Sequence, residues 1–313
     1  MFDGGPEHRR DFLKCMAWAG TGALFAVSGG VSSSIGLDSA LAAPVRRPQA
    51  ASFTFLQVSD SHVGFNKPPN SDARATFREA IAKVKALPIQ PDFIVHTGDV
   101  SQLSREDEFD DADQILKEAG LPVFFVPGEH DMLDPDGGKA FLQRFGKGTR
   151  GAGWYSFDHK GVHFVALVNV ADLKPGGMGN LGAQQLQWLK TDLAGRPSST
   201  PIVVLAHIPL WTVYADWGWG TDDSAEALRL LARFGSVTVL NGHIHQITQK
   251  VEGHIAFHTA RSTAFPQPVP GTAPSPGPLK VTPEQLPQML GITNASFLRG
   301  HERIALIDST LAS

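Results

Sequence analysis

Five short polar motifs, each at the end of a hydrophobic run, constrain the fold of this chain more than any other feature. They are Asp60-Ser61-His62, Gly98-Asp99, Gly128-Glu129-His130-Asp131, Ala206-His207 and Gly242-His243-Ile244-His245. Hydrophobic runs of this kind predict buried strands. Open α/β sheets bind ligands at the carboxyl ends of their strands. The carboxylates and imidazoles of these motifs should therefore meet along one rim of a sheet, although they are spread over most of the chain.

Strand and helix patterns alternate from Phe53 onward, as is typical of a layered α/β protein. Strands are predicted at 53–58, 92–96, 122–126, 154–157, 162–168, 201–205 and 237–240. Helices are predicted at 71–86, 106–119, 183–193 and 224–234. The runs 250–258 and 303–308 are predicted as antiparallel edge or second-sheet strands. The Pro- and Gly-rich stretch 266–287 is predicted as a surface loop.

Composition and charge narrow the class of partner. The chain has 313 residues, of which 42% are hydrophobic and 19% charged, so it can bury a full core. Its net charge is −4, and its 27 Lys and Arg residues are scattered without a basic run. Binding to a nucleic acid polymer requires many contacts from clustered cations to phosphates. We therefore expect no nucleic acid partner and a small-molecule substrate.

The first residues of the chain resemble a twin-arginine export signal. Arg9-Arg10 precedes a modestly apolar run at Met16–Val31, and Ala40-Leu41-Ala42 follows as a small-residue cleavage site. An exposed basic helix start with a flexible tail is the alternative interpretation. We expect a signal peptide at 1–42, a single catalytic domain at 43–313, contact with the twin-arginine translocation machinery and a bacterial periplasmic location.

The apolar run is too short and too rich in glycine for a stable membrane span, which needs about 20 predominantly apolar residues. An uncleaved signal acting as a tether is the second interpretation. Cleavage after Ala42 would also remove Cys15, the only cysteine, so the mature chain would carry no thiol to an oxidising compartment.

The order and spacing of the motifs resemble the calcineurin-like metallophosphoesterase superfamily, from Phe53 to about Leu311. The resemblance implies a four-layer αββα sandwich, in which two mixed β-sheets are flanked by helices. It also implies two metal ions. Asp60, His62 and His245 would hold the first ion, Asp99 would bridge, and Glu129, His207 and His243 would hold the second. His130 would lie beside the phosphate oxygens and assist the leaving group, so His130 and Asp99 are the predicted catalytic residues.

Two cations suit this chemistry because a phosphate ester repels an attacking anion. A metal pair neutralises that charge, activates a hydroxide and stabilises the departing oxygen. Mixed histidine and carboxylate ligands favour transition metals, here Mn, Fe or Zn in a divalent or mixed-valence pair. We expect a phosphodiester substrate. A phosphomonoesterase and a cyclic-nucleotide phosphodiesterase of the same superfamily remain alternatives, and a non-catalytic metal-binding protein is a remote third.

Glu129 departs from the family pattern, which has Asn at this position. The carboxylate either ligates the second ion as Asn would, or swings away and weakens that site. If it ligates, the added negative charge should favour monoanionic diesters over dianionic monoesters.

Residues outside the motifs are predicted to form the walls of the substrate site or to be structural. The candidate walls of the substrate site are 64–69 with Lys67, the tryptophan-rich segment 211–220 with Tyr214, and Arg261. The aromatic residues of 211–220 either stack on a base or sugar or pack as an apolar lid. Six other histidines lack a motif and are predicted as surface or satisfied core residues: His96, His159, His163, His254, His258 and His301.

Overall fold

The computed structural model describes the backbone of Leu24–Ser28 and Val31–Ile35 and, with side chains, residues 53–298 and 304–312. The chain divides into two units, Met1–Ala50 and Ala51–Ser313. In the first unit, strand β1 (Leu24–Ser28) pairs antiparallel with β2 (Val31–Ile35). The predicted twin-arginine pair, Cys15 and the cleavage site lie outside the described residues. Within the described part of the chain, no helix has the length and hydropathy required to cross a membrane.

One sheet of the second unit has five strands in the order β13-β12-β3-β4-β5. Strands β3, β4 and β5 are parallel to one another, whereas β12 runs antiparallel to both β3 and β13. The strands are β3 (Phe53–Val58), β4 (Ile94–His96), β5 (Val123–Phe125), β12 (Gly291–Phe297) and β13 (Ala305–Thr310).

The other sheet has six strands in the order β10-β11-β9-β8-β7-β6. Its four central strands are parallel, and β10 and β6 pair antiparallel at the two edges. The strands are β6 (Tyr155–His159), β7 (Val162–Ala166), β8 (Ile202–Leu205), β9 (Val237–Asn241), β10 (Gln249–Glu252) and β11 (Ile255–Thr259).

Helices cover the outer face of each sheet. They are α1 (Ala73–Lys85), α2 (Glu106–Lys117), α3 (Lys139–Phe145), α4 (Ala183–Leu193), α5 (Ser224–Leu231) and α6 (Leu286–Met289). Helices α1 and α2 pack on the five-stranded sheet, and α4 and α5 pack on the six-stranded sheet. Phe53, Phe55 and Phe164 belong to a third apolar cluster, between the sheets. This arrangement confirms the predicted αββα sandwich.

Alternation along β3 shows how the sequence produces these layers. Leu56 and Val58 face the helices, whereas Phe53 and Phe55 face the other sheet. Gln57 shares the inner face and is fully buried. Its amide donates to the hydroxyl of Thr97 and to the carbonyl of Asn241, so a polar contact links the two sheets directly below the rim.

The structure differs from the sequence prediction in four places. The run 250–258 is a hairpin rather than one strand, because Gly253, with φ of 58°, turns the chain between β10 and β11. Helices α3 and α6 were not predicted. Strand β12 was also missed, because Thr293 and Asn294 interrupt its apolar pattern, yet both of its edges pair with neighbouring strands.

Candidate metal centre

The motif residues share an uncommon backbone conformation. Positive φ angles occur at Asp60 (52°), His62 (39°), Asp99 (51°), His243 (69°) and His245 (53°). A left-handed conformation is unfavourable for residues other than glycine, and such strain is concentrated at functional sites. Hydrogen bonds between loops hold the strained turns, since Asp60 N donates to Gly98 O at 3.0 Å and His62 N donates to Asp99 O at 2.9 Å.

Two motif glycines are needed because the loops approach one another closely. A Cβ atom at Gly98 would collide with the imidazole of His207, and one at Gly242 would collide with Ser59 and the carboxylate of Asp60. Gly98 also has φ of 99°, which only glycine adopts readily. These glycines therefore allow the ligand side chains to converge.

The first group of converging side chains is Asp60, His62 and His245, all of which are buried. The Nε2 atoms of His62 and His245 are 3.2 Å apart, and Nε2 of His245 is 3.4 Å from Oδ1 of Asp60. Nδ1 of His245 donates to the Phe265 carbonyl at 2.6 Å. This bond fixes the tautomer and leaves the Nε2 lone pair directed at the group.

The second group is Glu129, His207 and His243. Oε2 of Glu129 lies 3.0 Å from Nε2 of His207, and Oε1 lies 2.9 Å from Nδ1 of His243. Nδ1 of His207 donates to the Thr97 carbonyl at 2.7 Å, which again leaves Nε2 free. Glu129 therefore points into the site rather than away from it.

Asp99 lies between the two groups. Its Oδ2 atom is 3.5 Å from Nε2 of His62 and 3.4 Å from Nε2 of His207. Its other oxygen, Oδ1, accepts the backbone N–H of His130 at 2.9 Å. A bridge between two ions would consequently use the single oxygen Oδ2.

The donor atoms fit a pair of cations. Within each group, atoms able to ligate an ion all lie within 4.8 Å of one another. Oε2 of Glu129, Nε2 of His207 and both ring nitrogens of His243 are buried without a hydrogen-bond partner. Buried polar atoms ordinarily have a hydrogen-bond partner or an ion beside them. A cluster of unpartnered donor atoms therefore indicates a binding site for positive charge between them.

The pKa directions agree with that interpretation. Burial lowers the pKa of His62 to about 3, so its imidazole is neutral and able to ligate a metal. Burial also opposes protonation of His207, but the carboxylates of Asp99 and Glu129 hold its pKa well above its usual value. The protein thus attracts a cation to Nε2 of His207, where a metal would replace the proton.

His130 belongs to the rim but not to the Glu129 group. Its Nδ1 donates to the Gln102 carbonyl at 2.7 Å, and its ring lies 4.7 Å from that of His62 at an interplanar angle of 79°. Burial would lower the pKa of His130, but Asp99 and Glu129 raise it above its usual value. The ring is therefore fixed in place with Nε2 available to the adjoining pocket.

Asp131 supports the rim, a role that the motif pattern did not reveal. Its carboxylate accepts the backbone N–H groups of Val100, Ser101 and Gly128 at 2.8–3.0 Å. These bonds tie the Gly98-Asp99 loop to the Glu129–Asp131 turn, and so they position the residue that lies between the two ligand groups.

The histidines outside the motifs occupy other positions. His159 contacts Asp92, His258 contacts Asp308, and His163 contacts two carboxylates. His96 is buried against Ser61, at 3.0 Å from its hydroxyl. His254 is exposed, and His301 lies outside the described residues.

A pocket of about 250 Å³ opens over the ligand groups. Of the predicted walls, Phe65, Trp217 and Trp219 line it. Lys67 and Arg261 are not among its lining residues: Lys67 is exposed, and Arg261 donates to the Met289 carbonyl at 3.1 Å.

Sequence reasoning missed a second wall. Phe265, Gln267 and Pro276–Pro278 also line the pocket. Apart from Phe265, they belong to the stretch predicted only as a surface loop. A density of Pro and Gly predicts a loop but carries no signal for where that loop lies.

Comparison with known proteins agrees with this geometry. The sequence profile of the calcineurin-like phosphoesterases matches residues 53–247, which contain all five motifs. The chain belongs to the calcineurin-like phosphoesterase family. As a calcineurin-like phosphoesterase, it is a hydrolase acting on phosphate ester bonds, and the family has a dinuclear metal site.

Two relatives of this phosphoesterase carry phosphodiesterase names. The 3',5'-cyclic adenosine monophosphate phosphodiesterase CpdA of Haemophilus influenzae is 27% identical over 199 residues, 61% of this chain and 69% of the relative. A probable cyclic nucleotide phosphodiesterase of a Psychrobacter species is 25% identical over 200 residues. That alignment covers 61% of this chain but only 57% of the relative.

A solved structure supports the fold. The dimetal phosphatase from Danio rerio superimposes with a TM-score of 0.63, covering 84% of this chain and 97% of that one. Sequence identity is 14%, so the likeness concerns the fold alone.

Proposed function

We propose that this calcineurin-like phosphoesterase is a dinuclear metal-dependent phosphodiesterase acting on small phosphate diesters. The observation that carries the proposal is the pair of histidine and carboxylate groups on either side of Oδ2 of Asp99. Asp60, His62 and His245 would hold the first ion, Glu129, His207 and His243 would hold the second, and Asp99 lies between the two groups. When bound, two such ions neutralise phosphate charge and activate water for attack.

His130 acts on the leaving group. Because Nδ1 is committed to the Gln102 carbonyl, Nε2 is the nitrogen that can donate a proton to the departing oxygen. The backbone N–H of His130 donates to Asp99 Oδ1 at 2.9 Å, so a hydrogen bond links the proposed acid to the carboxylate between the ligand groups. This coupling keeps the imidazole at a fixed position relative to both ligand groups.

Charge favours a diester. Two divalent ions carry one positive charge more than Asp60, Asp99 and Glu129 together neutralise, and deprotonation of the attacking water removes that excess. A monoanionic diester therefore meets less repulsion at the centre than a dianionic monoester. Since the centre is mostly buried, the difference acts at close range in a medium of reduced dielectric constant.

Hydrolysis of cyclic nucleotides is a second candidate. The names of the Haemophilus and Psychrobacter relatives favour it, as does the Gly242–Gln246 segment, which resembles that branch of the family. The export proposed below argues against this candidate, because an exported enzyme and an intracellular messenger are in different compartments.

A substrate panel on metal-replete protein tests both candidates. Elemental analysis should find two transition-metal ions per chain. Bis(p-nitrophenyl) phosphate should be hydrolysed with a higher kcat/KM than p-nitrophenyl phosphate, and 3',5'-cyclic AMP separates the second candidate from the first. A metal-loaded protein inactive on every ester would refute the proposed function.

The same proposal includes export. Arg9-Arg10, the apolar run and the Ala40–Ala42 triplet support a twin-arginine signal at 1–42, with the catalytic domain at 43–313 in the periplasm. Replacing Arg9 and Arg10 together by Lys keeps the charge but removes the pair that the translocation machinery recognises. The double variant should remain in the cytoplasm on fractionation; undiminished export would point to the general secretory route.

A further inference from the structure

The pocket above the ligand groups has an unusual set of walls. It is roofed by two loops, defined here as the Trp loop (residues 211–220) and the Pro loop (residues 266–279). Among the described residues that line it there is no lysine or arginine, and the charged groups belong to the ligand clusters and His130. The walls themselves are aromatic side chains, prolines and two glutamines.

The Trp loop holds one indole in a fixed position. The Trp217 ring lies 5.1 Å from Tyr214 and 5.1 Å from Trp219, nearly perpendicular to each. Val213 and Tyr214 both donate backbone N–H groups to the Trp219 carbonyl, and Trp219 is only 1% exposed. A ring fixed in this way offers a flat surface with little entropy left to lose on binding.

Trp211, in the same loop, has a different role. Its ring packs on Phe257 at 4.9 Å, and it does not line the pocket. The aromatic residues of the loop therefore have different surroundings: Trp211 packs on Phe257, and Trp217 lines the pocket.

The Pro loop adds hydrogen-bonding capacity without charge. It is closed by Leu279 N donating to Pro266 O at 2.8 Å and is held by Gln246 Nε2 donating to Pro268 O at 3.1 Å. Gln267 lines the pocket, and its Oε1 atom is buried without a partner. Because the oxygen and nitrogen of an amide are interchangeable by rotation, Gln267 can either accept or donate.

We infer that Trp217 and Gln267 form a subsite for a flat, uncharged ring in the ester group of the substrate, attached to the phosphate oxygen directly or through a sugar. Trp217 stacks on the face of the ring, and Gln267 bonds to a polar edge when the ring has one. The volume of about 250 Å³ admits one such group, not a polymer. The inference rests on the proposed function, and it makes these two residues determinants of specificity rather than of catalysis.

Two sources supply such a ring, an aryl ester or a nucleobase, and matched monoanionic ligands distinguish them. We would measure dissociation constants by calorimetry on the metal-loaded protein for methyl, phenyl and uridine 5'-esters of methylphosphonate, which carry the same charge. Stacking should make the phenyl ester bind about ten-fold more tightly than the methyl ester. A uridine ester that binds more tightly than phenyl indicates recognition of a polar edge; one that does not would refute the role of Gln267.

Variants assign the effect to residues. Trp217→Ala should reduce the phenyl-to-methyl ratio to about two-fold or less, and Trp217→Phe should keep most of it. Gln267→Leu should weaken uridine binding several-fold while leaving phenyl binding unchanged. Trp211→Phe is the matched control and should change neither ratio. Equal affinities for phenyl and methyl esters in the wild type, or an unaltered ratio in Trp217→Ala, would overturn the subsite.

Hydrolysis of methyl p-nitrophenyl phosphate by the same preparations separates this inference from the proposed function. If wild type hydrolyses the diester and the ratios do not respond to Trp217→Ala, only the subsite is wrong. If metal-loaded wild type hydrolyses no diester, the proposed function fails as well.

Discussion

Two buried histidines, His207 and His163, each lie between a pair of carboxylates, yet their surroundings differ. Nε2 of His207 lies 3.0 Å from Glu129 and 3.4 Å from Asp99, and it has no hydrogen-bond partner of acceptable geometry. Nδ1 of His163 lies 2.9 Å from Asp158, and Nε2 lies 2.7 Å from Asp192. Both histidines lie within ion-pair distance of their carboxylates, but only the contacts of His163 have the geometry of hydrogen bonds.

The remaining contacts of the two groups differ in the same way. Oδ1 of Asp192 accepts the Ser156 hydroxyl at 2.6 Å, and Oδ1 of Asp158 accepts Arg196 at 2.9 Å. The His163 cluster, comprising His163, Asp158 and Asp192, is therefore satisfied by the protein itself. The metal centre instead combines unpartnered atoms with strained backbone at Asp99. The His163 cluster therefore serves folding, whereas the metal centre requires a ligand that the chain does not supply.

The largest effect should follow from removing the carboxylate between the ligand groups. Asp99→Ala should lose bound metal and reduce activity by about 10³-fold or more, because both ions lose a shared ligand. Elemental analysis and kcat/KM on a diester measure the two losses. A variant that keeps two ions would show that Asp99 does not bridge.

A smaller loss is expected at the residue beside the centre. His130→Gln should retain both ions and lower kcat by about 10²–10³-fold, because it removes a proton donor but no ligand. The loss should be smaller for a diester with a better leaving group, such as a nitrophenolate, than for an alkyl ester. Loss of metal in this variant, or an equal loss for both esters, would contradict the assignment of an acid.

Substitution of Glu129 should change metal retention and the ratio of monoester to diester hydrolysis by a few-fold. Glu129→Asn should weaken metal retention against a chelator and shift the ratio of monoester to diester hydrolysis towards the monoester, because one negative charge leaves the centre. Glu129→Gln removes the charge but keeps the length of the side chain, so comparison with Glu129→Asn separates the effect of charge from that of length. Unchanged retention and an unchanged ratio in both variants would mean that Glu129 is not a ligand.

A substitution in the His163 cluster should change the stability of the protein but not its activity. Asp192→Asn should lower the free energy of unfolding by about 1–3 kcal/mol at pH 7 and leave metal content and kcat unchanged. Asp136→Asn, at an exposed ion pair with Lys139, is the matched control and should change neither.

The difference in unfolding free energy between wild type and Asp192→Asn should shrink as the pH falls. Burial would raise the pKa of Asp192, but hydrogen bonds from His163 and Ser156 lower it below its usual value. A lowered folded pKa gives stability that is present above the unfolded pKa, about 3.9, and is lost as pH falls through the folded pKa. Denaturation at several pH values should show wild type and Asp192→Asn converging in acid; a constant difference would contradict this account.

The convergence of the motif residues was predictable because each residue depends on local features of the sequence. A hydrophobic run followed by Gly98-Asp99 predicts both a strand and the side chain at its end, and parallel strands then bring such ends to one rim. The same logic failed for Lys67 and Arg261, since a cation close in sequence to the rim need not face the pocket. It failed also for Asp131, whose hydrogen bonds to the Gly98-Asp99 loop carry no signal of their own.

The sequence by itself thus determined the αββα layers, the rim and the residues that gather there, because strand periodicity and chain order act locally and repeat along the chain. Tertiary structure alone decided that a single oxygen of Asp99 lies between the groups, that Glu129 turns inward, and that Trp217 faces the pocket while Trp211 does not. Those outcomes depend on packing between loops distant in sequence. The residue pattern of one loop does not indicate where a second, distant loop will pack against it.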